Sequence, residues 1–199
     1  MTHILDTLPL TRLPAPGSYG RTGAPGVTVA LREDVAAATL VARRGAGVRL
    51  ADVVQARFGL TLPDGPRMAG DDALAVLGTG PGRWLALAQT RTGLAAELAS
   101  TLDGLAAVTD QSDANILFEI NGPRVLDLLA KGATVDLDPE VFRPGDVAVT
   151  AIAHAGVTLW RPGEEIAYRA LVARSFAPAF ARFLIAGGAE YGIGWSRRG

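Results

Sequence analysis

Apolar and polar positions fall into regular patterns from Val27 onward. Residues 27–31 and 35–43 have the β-branched, apolar character of strands. Leu50, Val53, Val54 and Phe58 then recur at helical spacing, which predicts a helix over 50–58 stopped by Gly59. Apolar runs at 73–77 and 84–88 flank Gly78-Thr79-Gly80-Pro81-Gly82 and predict two strands joined by a turn. Leu94, Leu98 and Leu102 lie on one stripe and predict a helix over 93–102. In the second half a strand is expected near 106–110. Ile116, Phe118 and Ile120 then alternate with Asn115, Leu117 and Glu119, as in a half-buried strand. Asn121 is expected as an N-cap, with Pro123 in the first turn of a helix that buries Val125, Leu128 and Leu129 and ends at Gly132. Strands follow at 147–153, 157–160 and 166–173. A last helix, capped by Ser175, is expected to bury Phe176, Phe180, Phe183 and Leu184.

This order predicts an α+β fold of repeated split β-α-β, ferredoxin-like halves, at about 27–104 and 105–193, within one domain over 27–199. A single α+β sheet with unrelated halves is the alternative. Residues 1–26 are rich in Pro and Gly without apolar periodicity. They are expected to form an extended arm, either disordered or lying along a partner or along its own domain.

Composition narrows the chemistry. With 49% hydrophobic residues in 199, the chain can bury one good core. No run is long enough to span a membrane, and the first residues lack the pattern of a secretory signal, so the expected location is the cytoplasm. There are no cysteines, which excludes disulfides, iron–sulfur ligation and thiol catalysis; with His3 and His154 as the histidines, no metal site is expected. The balance of 19 basic and 20 acidic residues shows no basic stripe of the kind that nucleic acids or membrane surfaces attract.

Motifs for catalysis are likewise missing. Lys131 has no phosphate-binding loop around it, and the run Gly78-x-Gly80-x-Gly82 continues into Arg83 and a strand, not into the helix of a dinucleotide site. Ser112 and Ser175 lie outside any nucleophile elbow. His154, among small apolar residues at a strand end, is expected to be a hydrogen-bonded structural histidine in preference to a general base. The carboxylate pairs Asp71-Asp72, Asp136-x-Asp138 and Glu164-Glu165 are expected to be solvated loop charges. No catalytic, cofactor-binding or metal residue is therefore assigned. Trp84, Trp160 and Trp195 are candidate interface residues; the first two sit in strands and suit core packing, while Trp195, in the Gly-rich tail before Ser196-Arg197-Arg198, is the better exposed anchor.

The segments Val108-Thr109-Asp110-Gln111-Ser112-Asp113, Phe118-Glu119-Ile120-Asn121-Gly122-Pro123-Arg124, Leu128-Leu129-Ala130-Lys131-Gly132 and Ala153-His154-Ala155-Gly156 resemble the gamma subunit family of heterotetrameric sarcosine oxidase. Gly80-Pro81-Gly82-Arg83-Trp84-Leu85 and Leu171-Val172-Ala173-Arg174-Ser175-Phe176 fit it too. That family is in turn similar to the folate-binding domain of the glycine-cleavage T-protein. The resemblance implies a bacterial, non-catalytic subunit of an oxidoreductase complex in sarcosine catabolism. Alpha, beta and delta partners would demethylate sarcosine oxidatively to glycine, with one-carbon capture on tetrahydrofolate. FAD, FMN, NAD, tetrahydrofolate and zinc are expected in those partners and not in this chain. Where T-proteins carry the acidic residue used with folate, the matching positions here are Leu159 and Trp160, which implies loss of aminomethyl transfer. Two alternatives stand beside this: an independent folate-binding or aminomethyltransferase-like protein, and a gamma-like subunit of a related N-methyl amino acid dehydrogenase.

Overall fold

The structure, a computed structural model, describes Leu8 and residues 11–89 and 92–198. His3, with the other residues of 1–7 and residues 9 and 10, lies outside the described residues. The chain runs through β1 (Gly17–Tyr19), β2 (Val27–Arg32), β3 (Val35–Ala42), α1 (Gly47–Phe58), β4 (Met68–Gly70), β5 (Ala75–Gly80), β6 (Arg83–Gln89), α2 (Leu94–Thr101) and β7 (Ala106–Asp110). It continues with β8 (Asn115–Asn121), α3 (Val125–Leu129), β9 (Val147–Ile152), β10 (Ala155–Trp160), β11 (Ala167–Ala173), α4 (Ala177–Gly188) and β12 (Ile193–Arg198). The class is α+β, and the chain divides into two compact units.

One unit comprises Asp34–Asn115 with Gly145–Val147 and holds a five-stranded sheet in the order β4-β5-β6-β3-β7. Its neighbouring strands pair antiparallel; the connection from β3 through α1 passes two strands to reach β4, and that from β6 through α2 passes one to reach β7. The strands present Ala38, Leu40, Trp84, Ala86 and Ala88 to Leu50, Val54, Leu94 and Leu98 of the helices. Alanines at these sheet positions leave room for the larger leucines opposite. α1 ends where Gly59 takes φ 69° and its N–H bonds the Gln55 carbonyl, which is the left-handed stop that glycine supplies without a Cβ clash. The β5–β6 hairpin turns at Pro81-Gly82, and a bulge lies between Gly78 and Gly80.

The other unit is built from the remaining described residues, around a seven-stranded sheet ordered β1-β12-β2-β8-β11-β10-β9. β12 runs parallel to β2, with Trp195 opposite Val29, and β2 is antiparallel to β8, with Val29 opposite Ile120. Period-two alternation sends Val27, Val29, Leu31, Phe118, Ile120, Tyr168, Val172, Ile193 and Trp195 into a core closed by Val125, Leu128 and Leu129 of α3 and Phe180, Leu184 and Ile185 of α4. Phe118 meets Phe180 edge-on at 5.0 Å between centroids and Trp195 at 6.2 Å.

Several expectations change. β2 pairs between β12 and β8, and β7 completes the five-stranded sheet, so the units do not divide at residues 104–105. Periodicity fixes which face of a strand is buried and leaves its neighbours open. Asn121 is not an N-cap; it pairs with Thr28 at the end of β8, and Arg124 precedes α3. Ser175 is exposed and caps nothing, since α4 starts after Phe176 with a proline in its first turn, and Phe176 is 52% exposed rather than buried. Where it is described, the arm is ordered along its own unit: Gly17–Tyr19 pair with β12, and the N–H groups of Arg21 and Gly26 donate to Ala189 and Tyr191.

Candidate functional site

The polar residues singled out by sequence are used locally. The Ser112 hydroxyl donates to Asp110 Oδ1 at 2.7 Å and accepts from the Ala37 N–H at 3.1 Å, so Asp110-Gln111-Ser112 ties the end of β7 to β3. Hydrogen bonds from the Ser112 N–H, the largest cause, and from the Ser112 hydroxyl hold the Asp110 carboxyl below the usual range, its burial opposing them. Asp71 accepts from the N–H of Ala73, Asp136 from that of Asp138, and Asp138 from that of Glu140; each is the turn-closing use of an aspartate. Lys131 Nζ bonds the Gly187 carbonyl and Glu190 and stands 4.6 Å from the centre of the Tyr191 ring. His154, expected as a hydrogen-bonded structural histidine at a strand end, is exposed at the β9–β10 turn, where Ala153 and His154 both take left-handed φ, 48° and 66°. This is the backbone of a tight two-residue hairpin, a conformation that favours Asn-Gly.

The three tryptophans separate by environment. Trp84 Nε1 donates to the Pro63 carbonyl at 2.9 Å inside the five-stranded unit. Trp160 is 1% exposed and lies on the face of β10 opposite Leu159, which is itself in the core. Trp195 is not an exposed anchor: it is 3% exposed against Phe118, because β12 is a strand and Ile193 and Trp195 share its inward face. Among the described residues no cluster of three or more His, Asp or Glu could hold a metal ion.

Charged residues that the sequence did not single out pair on β8 and β11 and at the ends of β2 and β12. Glu119, in mid-strand, stands within 3.4–3.8 Å of the guanidinium groups of Arg32, Arg169 and Arg198. In a separate set, Glu33, which follows β2, accepts from Arg174 at 3.0 Å and from Arg197 at 2.5 Å. The strand register accounts for this: Ala30 is opposite Glu119, and Arg32 is opposite Arg198. A charge inside Phe118-Glu119-Ile120 was the visible signal, since a solitary carboxylate in an apolar strand needs a partner. The neighbouring face of β12, β2 and β8 is hollowed to about 560 Å³, lined by Thr28, Glu119, Asn121, Gly194, Ser196 and Arg198 among others.

The Arg197 and Arg174 hydrogen bonds lower the pKa of Glu33, its burial opposing them. Its contribution to stability is therefore present above the ordinary glutamate value of 4.5 and lost as pH falls through the lowered value. Because Glu33 is partly exposed, the contribution is about 1 kcal/mol or less. The expected result is that Glu33→Gln lowers the unfolding temperature slightly at pH 7, with the gap from wild type closing in acid. A gap that stays constant from pH 7 to pH 3 would contradict it.

Comparison with solved structures fixes the fold type first. The glycine cleavage system aminomethyltransferase T from Bartonella henselae superposes with a TM-score of 0.63 at 14% identity, over 86% of this chain and 48% of that one. The chain thus has an α+β fold of T-protein type. A chain of the heterotetrameric sarcosine oxidase from Corynebacterium sp. U-96, solved with pyrrole 2-carboxylate, superposes with a TM-score of 0.75 at 28% identity, covering 85% and 87% of the two chains. The sarcosine oxidase gamma subunits of Arthrobacter sp. and Corynebacterium sp. strain P-1 are 33% and 35% identical to it, each over 73% of both chains. Residues 42–190 match the family model for sarcosine oxidase, gamma subunit, and the chain belongs to that family.

Proposed function

We propose that this chain is the non-catalytic gamma subunit of a heterotetrameric sarcosine oxidase. Its partners would be alpha, beta and delta chains that together demethylate sarcosine oxidatively to glycine and pass the one-carbon unit to tetrahydrofolate. FAD, FMN, NAD, tetrahydrofolate and zinc belong to those partners on this reading. The observation that carries it is the match along 85% of the chain to a subunit of heterotetrameric sarcosine oxidase, at an identity above that of a shared fold alone. The buried, apolar Leu159 and Trp160 support a role without transfer chemistry. The reading places the assembly in the cytoplasm, with which the lack of a membrane-length apolar helix among the described residues is compatible.

The test is co-expression with the three partner chains followed by sizing and subunit analysis. The chain is expected to elute with the other three at equal stoichiometry, and removing it is expected to lower the yield of intact oxidase. A chain that elutes alone while its partners assemble without it would overturn the proposal.

A further inference from the structure

An apolar groove of about 360 Å³ runs between α3 and the chain that follows it. Leu126 and Ala130 line it from the helix side, and Ala133, Val135, Leu137 and Pro139 line it from the loop. Leu126, Ala133 and Val135 pack against the core of the seven-stranded unit yet stay half-buried, so apolar surface is left open on their outer side. The loop is irregular apart from the bridge between Ala133 and Ile152, and it is held at several further points. The buried Tyr168 hydroxyl donates to the Leu137 carbonyl at 2.9 Å, and the buried Arg161 donates to the carbonyls of Pro139 at 3.5 Å and Phe142 at 3.2 Å. Thr134 Oγ1 bonds Thr150 Oγ1 at 2.8 Å. A groove fixed in this way has its shape before anything enters it, which lowers the ordering cost of binding. Its charged lining residues are Asp136 and Asp138. Each spends Oδ1 on the turn, accepting from the N–H two residues on at 2.9 and 2.8 Å, and keeps Oδ2 without a partner among the described residues.

We infer that this groove docks a segment of a partner subunit, with an apolar side chain of that segment seated against Leu126 and Val135 and a lysine or arginine beside it on Asp136 and Asp138. The inference rests on the assembly reading above and says where on this chain the contact is made. Charge complementarity selects the occupant: two carboxylates stand at the groove and no basic residue lines it among the described residues, so an incoming cation is favoured and an acidic segment repelled. A second copy of this chain, meeting the first about a two-fold axis, would bring the same aspartates together, which favours a different chain. An apolar centre with a charged margin is also the build of protein interfaces.

The experiment measures the affinity of the wild-type chain and its variants for the co-expressed complex of the remaining subunits. Ala130→Arg places a long side chain at the groove, where Ala130 is exposed. The double variant Asp136→Asn/Asp138→Asn removes both charges while its amide oxygens go on accepting from the turn N–H groups. Asp52→Asn/Asp103→Asn makes the same charge change on exposed residues of the other unit and serves as control. Thermal unfolding of each isolated chain separates loss of docking from loss of folding. Ala130→Arg is expected to weaken assembly at least about tenfold, and the Asp136/Asp138 pair about fivefold at low salt, both with an unchanged unfolding temperature. Added salt should close the gap between that pair and the wild type, and the control pair should have no effect. Should Ala130→Arg lower the unfolding temperature, the Asp136/Asp138 pair decides. Assembly of a folded Ala130→Arg at wild-type affinity would overturn the inference, as would equal losses for the two Asn pairs. A dimer of the isolated chain in sedimentation that Ala130→Arg dissolves, with assembly untouched, would assign the groove to a second copy and overturn it too. If the wild-type chain fails to assemble at all, the assembly reading itself falls, whereas wild-type assembly with indifferent variants removes only this docking surface.

Discussion

Arg161→Met is expected to lower the stability of the seven-stranded unit by about 3 kcal/mol, because it leaves buried backbone carbonyls without donors. Arg161 is 5% exposed, and the partners of its guanidinium are main-chain carbonyls. Nε donates to the Glu165 carbonyl at 3.3 Å, Nη2 to that of Glu164 at 2.6 Å, and Nη1 to those of Phe142 at 3.2 Å and Pro139 at 3.5 Å. One planar group thus satisfies the loop after β10 and the stretch ahead of β9 at once. Methionine fills a similar volume and donates nothing, so the loss measures the hydrogen bonds and not a cavity. Lysine restores the charge but cannot reproduce the fork, and Arg161→Lys should recover part of the loss. In thermal unfolding the methionine variant should fall by about 10 °C, with lysine between it and wild type. A methionine variant that unfolds within a degree or two of wild type would show that water replaces the guanidinium.

Gly78→Ala is expected to destabilise the five-stranded unit by about 3 kcal/mol, for a steric reason. A Cβ on Gly78 would stand 1.8 Å from the Gly65 carbonyl oxygen and 3.0 Å from its carbon, both backbone atoms that no rotamer change can remove. Relief requires moving the segment that also supplies the Arg67 carbonyl to the Gly78 N–H and the Pro63 carbonyl to the Trp84 indole. Gly80→Ala, two residues along β5, is the control: there the nearest atom to an added Cβ is 4.0 Å away on the flexible Arg83 side chain. Urea unfolding should separate the two by at least about 2 kcal/mol. Equal costs would place the effect in the conformational freedom of glycine and not in the contact.

Much of the secondary structure was legible in the sequence. The alternation of Ile116, Phe118 and Ile120 and the four-residue stripe of Leu94 and Leu98 depend only on which side of a local element is buried, and both hold. What the residues could not disclose was pairing between strands distant in sequence. Nothing in Val27–Arg32 says that its neighbours are β12 and β8 and not β3. The short strands β1 and β4 are formed by three residues each, too few for a period to register. Trp195 was misjudged because Gly192, Gly194 and two arginines give the segment the look of a solvated tail. The inward pair Ile193 and Trp195 was the clue, at two-residue spacing. Arg161 was invisible as a buried residue, since its partners are main-chain carbonyls that every sequence possesses.

The placement of β12 bears on how the chain is made. It lies between β1 and β2, two strands from the opposite end of the sequence, and β1 has β12 as its sole sheet neighbour among the described strands. The ribosome therefore delivers β1 and β2 long before the strand that joins them, while every strand of the five-stranded sheet has emerged by Asp110. The sheet of that unit can form during synthesis, before its Gly145–Val147 segment is made. The other keeps an open edge on β2 until residues 193–198 arrive, and unpaired edges of this kind recruit other chains. Loss of those six residues would expose β1 and β2 together.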